Sequence, residues 1–113
     1  MAEVRSEYLI AFEAGIAIRS LRDISSAVGA AFGTRGLIFT ESDLSPEFFD
    51  LKTGVAGELF QKFINYGLRL ALIIPDPAHY GDRFNELARE HRSHNNVRIV
   101  GTKLEATDWI GQG

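Results

Sequence analysis

The apolar positions of the chain fall into two kinds of segment that alternate along its length. One kind is a short, unbroken apolar run, which is typical of a strand covered on both faces. The other is a longer segment whose apolar residues recur every three or four positions, as on one face of a helix. The runs lie at residues 8–12, 16–18, 37–40, 68–74 and 97–100. Strands that alternate with helices predict the α/β fold class, with a mostly parallel sheet.

The five apolar runs predict a five-stranded sheet. Residues 8–12 and 16–18 flank a short turn ending in Gly15, which is typical of a β-hairpin with a glycine at positive φ. We expect residues 37–40 to lie parallel to residues 16–18, because a helical segment connects them. Residues 68–74 are the most apolar run and are expected at the sheet centre. The result is a single-domain α/β sandwich with helices packed on a mostly parallel five-stranded sheet.

The periodic segments predict the helices that cover this sheet. The clearest lies at residues 54–67, where Val55, Leu59, Phe63 and Tyr66 form one apolar stripe. We expect Val55, Leu59 and Phe63 to face the sheet. The last helix is expected after Thr102, which begins a capping-box sequence.

Length and charge limit the function classes. A chain of 113 residues has the size of one domain, which we expect to extend over residues 1–113. Twelve basic residues against fifteen acidic ones give a formal charge of −3, without a basic run. Nucleic-acid binding is therefore not expected. The absence of cysteine excludes disulfides, thiolate nucleophiles and cysteine-ligated metals.

The sequence also bears on location. The first apolar run, residues 8–12, ends at Glu13 and is too short for a signal-peptide core or a membrane span. We expect an unprocessed, soluble, cytoplasmic protein with no membrane partner.

The sequence FFDLKTGVAGE, residues 48–58, joins two phenylalanines to the start of the helix at 54–67, and we call this segment the elbow. Phe48 and Phe49 are expected either to close one end of the core or to form a docking patch for a partner. Ser45 followed by Pro46 predicts a short helical turn that carries both rings.

Two interpretations remain open for Thr53, Gly54 and Gly57. Thr53 is either a helix cap, followed by glycines that allow close approach to neighbouring backbone, or part of an anion- or phosphate-binding helix start. The stretch TGVAG, residues 53–57, lacks the long glycine-rich loop and the lysine-serine or lysine-threonine pair of a nucleotide P-loop. Asp50, Lys52, Glu58 and Asp76 are expected as solvated or capping charges, or alternatively as an acid–base group around the helix start.

Three histidines, His79, His91 and His94, raise the question of a metal. His91 and His94 alone supply too few ligands, and Asp82 or Glu90 would have to complete the set, so we predict neither a metal site nor a cofactor.

The string FFDLKTGVAGELFQKFINYGLRLALI resembles the signature of a family of small bacterial proteins, the domain of unknown function DUF4180, from about Leu9 to Ile110. Two loops depart from the family pattern. Pro75-Asp76 replaces a usual glycine-aspartate, and EHRSHNN replaces an acidic-serine-asparagine-glycine turn. The resemblance implies a fold and no assigned chemistry.

The predicted order β-β-α-β-α-β-α-β-α is similar to the STAS fold of anti-sigma factor antagonists. In those proteins a phosphorylatable serine precedes a glycine at the start of the helix after the third strand. Thr53-Gly54 stands at the matching place. The similarity implies a regulatory site at Thr53 that is switched by phosphorylation.

Two function classes follow. The first, which we favour, is a non-enzymatic interaction or regulatory module that docks a protein partner around residues 48–58. The second is a small-molecule-binding protein or enzyme with a site at the strand ends, beside Thr53 and Asp76. A deep pocket there would favour the second class, and a flat apolar surface the first. A two-fold homodimer is a further hypothesis. The candidate partner- or anion-binding residues are Phe48, Phe49, Asp50, Lys52, Thr53, Gly54, Gly57 and Glu58, and Asp76 marks a ligand loop.

Overall fold

The computed structural model describes residues 8–112, in which four strands form one parallel sheet of order β1-β2-β3-β4. The strands are β1 (Leu9–Ile10), β2 (Leu37–Thr40), β3 (Leu70–Ile73) and β4 (Val97–Val100). In the register of the sheet, Leu70 of β3 pairs with Leu37 of β2 on one side and with Val97 of β4 on the other. The most apolar strand, β3, therefore lies inside the sheet, as predicted.

Helical segments make every connection between these strands. The α-helices are α1 (Ala11–Ala14), α2 (Ile24–Ala31), α3 (Pro46–Phe49), α4 (Val55–Asn65), α5 (Asp82–Glu90) and α6 (Lys103–Gly111). Turns of 3-10 helix occur at Leu21–Asp23, Glu41–Asp43, Leu51–Thr53 and Pro77–Tyr80. Within residues 8–112 no helix combines the length and apolar character needed to cross a bilayer. The predicted domain limits, residues 1 and 113, lie outside the described part of the chain.

The two faces of the sheet are covered by different helices. Successive side chains of a strand point to opposite faces. Leu37 and Phe39 of β2 accordingly enter the larger core with α2, α4 and α5, while Ile38 packs with α6. The side chains of Val55, Leu59 and Phe63 are all fully buried in the larger core. The predicted apolar stripe of α4 is therefore confirmed for these three residues, whereas Tyr66 lies just beyond the helix and is 54% exposed.

The predicted opening hairpin is wrong. After β1 the chain makes the helical turn α1, which ends at Gly15 with φ of 73°. Gly15 thus needs the positive φ that the sequence suggested, but it closes a helical turn and not a hairpin. The segment 16–18 makes only an isolated parallel bridge between Ile18 and Leu44.

Two further corrections follow from this turn. The strand at 37–40 pairs with β1 and not with residues 16–18, and the described residues contain four strands instead of five. The element order from which the similarity to STAS domains was drawn therefore differs from the observed order. The capping box at the start of α6 is confirmed, because the Glu105 N–H donates to the Thr102 hydroxyl while the Glu105 carboxylate accepts from the Thr102 N–H.

Candidate functional site

A cavity of about 650 Å³ lies where β2 and β3 end. It lies at that edge because the sheet is parallel, so the segments that follow neighbouring strands emerge together. Glu41 comes directly after β2, and Tyr80 ends the connection that follows β3. We call this the carboxyl-end cavity. It is lined by an apolar group, Leu44, Phe49, Leu51 and Phe84, and by the polar residues Glu41, Asp50, Lys52, Tyr80, Asp82 and Arg83.

The two neighbouring phenylalanines have different places in this arrangement. Ser45 and Pro46 begin α3, as predicted, and consecutive residues of a helix point in different directions. Phe48 is fully buried in the larger core, whereas Phe49 is half-buried and lines the cavity. The Phe49 ring stacks on Tyr80 with centroids 3.7 Å apart and an interplanar angle of 8°. Phe48 therefore closes the core, and Phe49 forms a wall of the site.

A hydrogen bond in the wall of the cavity joins the connection after β2 to the connection after β3. The Tyr80 hydroxyl donates a hydrogen bond to Oε2 of Glu41. That bond, followed by burial and by the charges of Glu41 and Asp76, raises the pKa of Tyr80 to about 12. Tyr80 is consequently a neutral hydrogen-bond donor across the physiological range, and its partner Glu41 is a carboxylate acceptor.

The buried residue Asp43 holds the turn that carries Glu41. Its carboxylate accepts hydrogen bonds from the backbone N–H of Thr40 at 2.8 Å and from the Thr40 hydroxyl at 3.1 Å. Its backbone carbonyl accepts the N–H of Ile18 at 2.8 Å. These bonds fix the chain at the end of β2, so the position of Glu41 is set by backbone already tied to the core.

The tip of the elbow is held by its own hydrogen bonds. The Asp50 carboxylate accepts the N–H of Lys52 at 3.1 Å. The Thr53 hydroxyl lies 2.8 Å from the carbonyl oxygens of both Glu47 and Asp50, to which it can donate. It also accepts a weaker bond from Val55 N–H at 3.3 Å. Thr53 therefore ties the helix start back to α3.

The predicted N-cap role of Thr53 is corrected by this geometry. Gly54 is the residue that precedes α4, and it has φ of 81°. A side-chain N-cap accepts from the second or third N–H of its helix, whereas Thr53 accepts only from Val55, the first helical residue. The sequence located the helix start correctly but assigned the capping position one residue too early.

Close packing of the elbow glycines is also corrected. An added Cβ would meet no atom within 4 Å at either Gly54 or Gly57, so neither allows a close approach to neighbouring backbone. Gly54 is needed for its positive φ, while Gly57 is exposed on the helix surface. Glu58 pairs with Lys62, four residues further along, at 3.6 Å on the exposed side of α4.

The structure brings only part of the predicted site together. Phe49, Asp50 and Lys52 line the carboxyl-end cavity, whereas Thr53, Gly54, Gly57 and Glu58 do not. Asp76 is exposed and outside the lining, although its charge contributes to the raised pKa of Tyr80. Sequence analysis missed Glu41 and Tyr80. The available signal was their position after two strands predicted to be parallel.

The lining defines what the cavity can accept. Most of its exposed surface is apolar, and its charged residues are of both signs. Within residues 8–112, no group of three His, Asp or Glu side chains is placed to hold a metal ion. The arrangement suits a mainly apolar molecule with one hydrogen-bonding group, which the Glu41 carboxylate can receive.

Comparison of the sequence with known proteins identifies the family of the chain. A family model described as "Domain of unknown function (DUF4180)" matches residues 4–110. No curated protein and no solved structure matches the chain. The match covers nearly the whole chain and carries no chemistry, so the site must be interpreted from its own residues.

Proposed function

The chain belongs to the DUF4180 family, whose molecular function is not established, and we propose that this member binds a small, mainly apolar molecule in the carboxyl-end cavity. The observation that carries the proposal is a concave, apolar-lined space of about 650 Å³ with the Glu41–Tyr80 pair in its wall. Small-molecule sites typically have volumes of roughly 300–1,000 Å³ and a few converging polar groups.

The position of the cavity supports the same proposal. Open α/β sheets commonly bind ligands beyond the carboxyl ends of their strands. Three separate segments build this cavity, and each contains a residue buried in the larger core: Leu44, Phe48 and Phe84. A wall that is ordered before binding lowers the entropy cost of taking up a ligand.

The polar residues indicate the ligand class. Glu41 is an acceptor, and its partner Tyr80 stays protonated because its pKa is raised to about 12. A ligand with an amine or hydroxyl donor can therefore bond to the Glu41 carboxylate, whereas a carboxylic acid would meet a like charge. The apolar remainder of the ligand would contact Phe49, Leu51 and Phe84.

The test is a protein-detected NMR titration with small aromatic amines and alcohols and with carboxylic acids matched to them in shape. We expect the amines and alcohols to bind with dissociation constants of about 1 mM or below, as such fragments do. They should shift the backbone amide signals of Glu41, Leu51 and Tyr80, and the acids should bind more weakly.

Two variants place the binding in the cavity. Leu51→Trp puts a large ring into the lining and should abolish the shifts. Leu104→Trp makes the same change at a leucine that is 68% exposed on α6, and should leave them unchanged. Glu41→Gln should weaken the amines about tenfold, since it removes the charge from their hydrogen bond. The proposal is wrong if no compound shifts these amides, or if the two tryptophan variants bind alike.

Our second proposal is that the protein is an interaction module that docks a protein partner in the bacterial cytoplasm. It is supported by the exposure of Asp50, Lys52 and Gly54 at the elbow tip, next to half-buried Leu51. A partner could place one apolar side chain in the cavity and contact this rim. Capture of binding proteins from native cells with the Lys52→Glu variant tests this proposal. The control is Lys103→Glu, at an exposed residue of α6. A partner that binds at the elbow should be lost only with Lys52→Glu.

A further inference from the structure

A second cavity, of about 540 Å³, lies at the outer corner of the sheet beyond the ends of β3 and β4. The N–H of Ile74 donates to the carbonyl of Val100 at 2.8 Å, which extends the strand pairing to its floor. The end of α5 and the start of α6 form its walls, and Pro75 lies at its margin. It shares no lining residue with the carboxyl-end cavity. We call it the arginine cavity, after Arg89 and Arg92 in its lining.

The two arginines leave the chain on the same side. They are three residues apart, and the N–H of Arg92 donates to the carbonyl of Arg89 at 3.4 Å, which continues the last turn of α5. Both are exposed. Among residues 8–112 the only pair of oppositely charged groups within 4 Å is Lys62 with Glu58, so neither guanidinium is neutralised by a carboxylate of this part of the chain.

Two other arginines of the chain have structural partners. Arg69 donates to the carbonyl of Trp109 at 2.8 Å, and Arg98 donates to the carbonyl of His94 at 2.8 Å. Both guanidinium groups also lie over the Trp109 ring. Arg89 and Arg92 have no such contacts among the described residues, and their donors remain available to a ligand.

The acidic side chain of the arginine cavity is already bonded. Oε1 of Glu105 accepts the N–H of Gly101 at 2.8 Å and the N–H of Thr102 at 3.1 Å. Glu105 therefore occupies the N–H groups of Gly101 and Thr102, which are not available to an external anion. Two guanidinium groups and one carboxylate leave the lining with a formal charge of +1, in a chain whose net charge is −3. An anion would be attracted to this cavity and repelled by the molecule as a whole.

The remaining lining provides for more than a bare anion. Asn85 contributes an amide that can donate a further hydrogen bond, while Pro75, Pro77 and Val100 contribute apolar surface. A volume of about 540 Å³ exceeds what inorganic phosphate occupies and falls within the usual range for organic ligands.

We propose that the arginine cavity binds a small phosphate monoester. The phosphate bonds to Arg89 and Arg92, whose planar donor groups match phosphate oxygens, with Asn85 as a further donor. The organic part lies against Pro75 and Pro77. The site is independent of the carboxyl-end cavity, so each can exist without the other.

The test is a titration of the full chain at low ionic strength with inorganic phosphate and with phenyl phosphate, followed by calorimetry and by amide NMR shifts. We expect both to shift the amide signals of Asn85, Arg89 and Gly101, and phenyl phosphate to bind several-fold more tightly because its ring covers apolar surface. The signals of Glu41 and Tyr80 in the other cavity should not move.

Charge-removing variants locate the phosphate. Arg89→Gln and Arg92→Gln should each weaken phenyl phosphate about tenfold, as expected for a charge-assisted hydrogen bond. Arg22→Gln, at an exposed arginine outside both cavities, is the matched control and should bind as the wild type does.

Three results would overturn the proposal. One is the absence of binding by either phosphate compound. Another is equal binding by the three arginine variants, which would show attraction to surface charge alone. The third is a phosphoserine peptide that binds at these residues while phenyl phosphate does not, which would assign the site to a protein partner. A failure of this proposal would not affect the proposal for the carboxyl-end cavity, because binding there is detected through different amide signals.

Discussion

The Tyr80 hydroxyl donates a hydrogen bond to the carboxylate of Glu41 across 39 residues of sequence, and so joins the connection after β2 to the connection after β3. Asp43 fixes the backbone on the Glu41 side, and Phe49 stacks on the Tyr80 ring. The bond is therefore held from both ends, and it forms one wall of the carboxyl-end cavity.

The first prediction concerns the titration of Tyr80. Its pKa is raised to about 12 from the ordinary 10.0, so the folded state retains the proton over a range in which the unfolded state loses it. This contribution to stability is complete below pH 10 and is lost as the pH rises toward 12. NMR of the Tyr80 ring carbons should show this residue titrating well above pH 10. Glu41→Gln should lower the Tyr80 pKa, and an unchanged value would contradict the role of Glu41.

A second prediction tests the packing of α4. Phe63 is fully buried against the sheet, so Phe63→Ala should lower the free energy of unfolding by about 3–5 kcal/mol, through lost burial and a residual cavity. Phe12→Ala is the matched control, because the Phe12 side chain is 76% exposed, and should change stability by less than about 0.5 kcal/mol. Urea titration measures both. Similar values for the two variants would place Phe63 outside the core.

The third prediction separates a structural from a regulatory role of Thr53. Its hydroxyl lies 2.8 Å from the backbone carbonyl oxygens of Glu47 and Asp50. Thr53→Ala should therefore cost about 1 kcal/mol, and Thr53→Ser, which keeps the hydroxyl, should cost less. Thr53→Glu should destabilise at least as much as alanine, because its carboxylate cannot donate to those carbonyls.

The same series bears on phosphorylation. A phosphate on Thr53 would remove the donated hydrogen bond, while the start of α4 favours negative charge. If denaturant titration shows Thr53→Glu to be more stable than Thr53→Ala, the helix start dominates and the anion-binding interpretation gains support. Partner capture that is unchanged in all three variants would leave Thr53 with a structural role alone.

The fourth prediction is a pH dependence from His94. Burial, followed by the charges of His91 and Arg98, lowers the pKa of His94 from 6.5. Its Nδ1 accepts the N–H groups of Asn96 and Val97, which requires an unprotonated nitrogen. The unfolded chain therefore binds a proton more readily than the folded one, and stability should fall as the pH drops through 6.5.

Urea titrations between pH 5 and 7.5 measure this slope. His94→Gln should reduce it, since the titrating group is gone, whereas His79→Gln removes an exposed histidine and should retain it. NMR should give His94 a pKa below 6.5. A pKa at or above that value, or equal slopes for the two variants, would rule out this source of pH dependence.

The positions of the elbow show how far the sequence could be taken. The start of α3 at Pro46 and the burial of Phe48 follow from local chemistry and hydrophobicity, and both are observed. The capping position was misplaced by one residue because Thr53 bonds backward to Glu47, a contact that depends on how the turn folds. The opening hairpin failed for a related reason. Gly15 satisfies either a hairpin or a helical turn, and local sequence does not distinguish them.

The sequence by itself determined the parallel α/β architecture, the interior position of β3 and the buried stripe of α4. Those features follow from the spacing of apolar residues. The apolar side chains are buried, and their positions along a helix or strand determine which face of it points to the core. Only the tertiary structure decided the two cavities. Glu41 and Phe49 lie in the connection after β2 and Tyr80 in the connection after β3, while Arg89 at the end of α5 and Gly101 before α6 line one cavity. Their convergence depends on the paths of loops whose conformations are set by packing and not by periodicity.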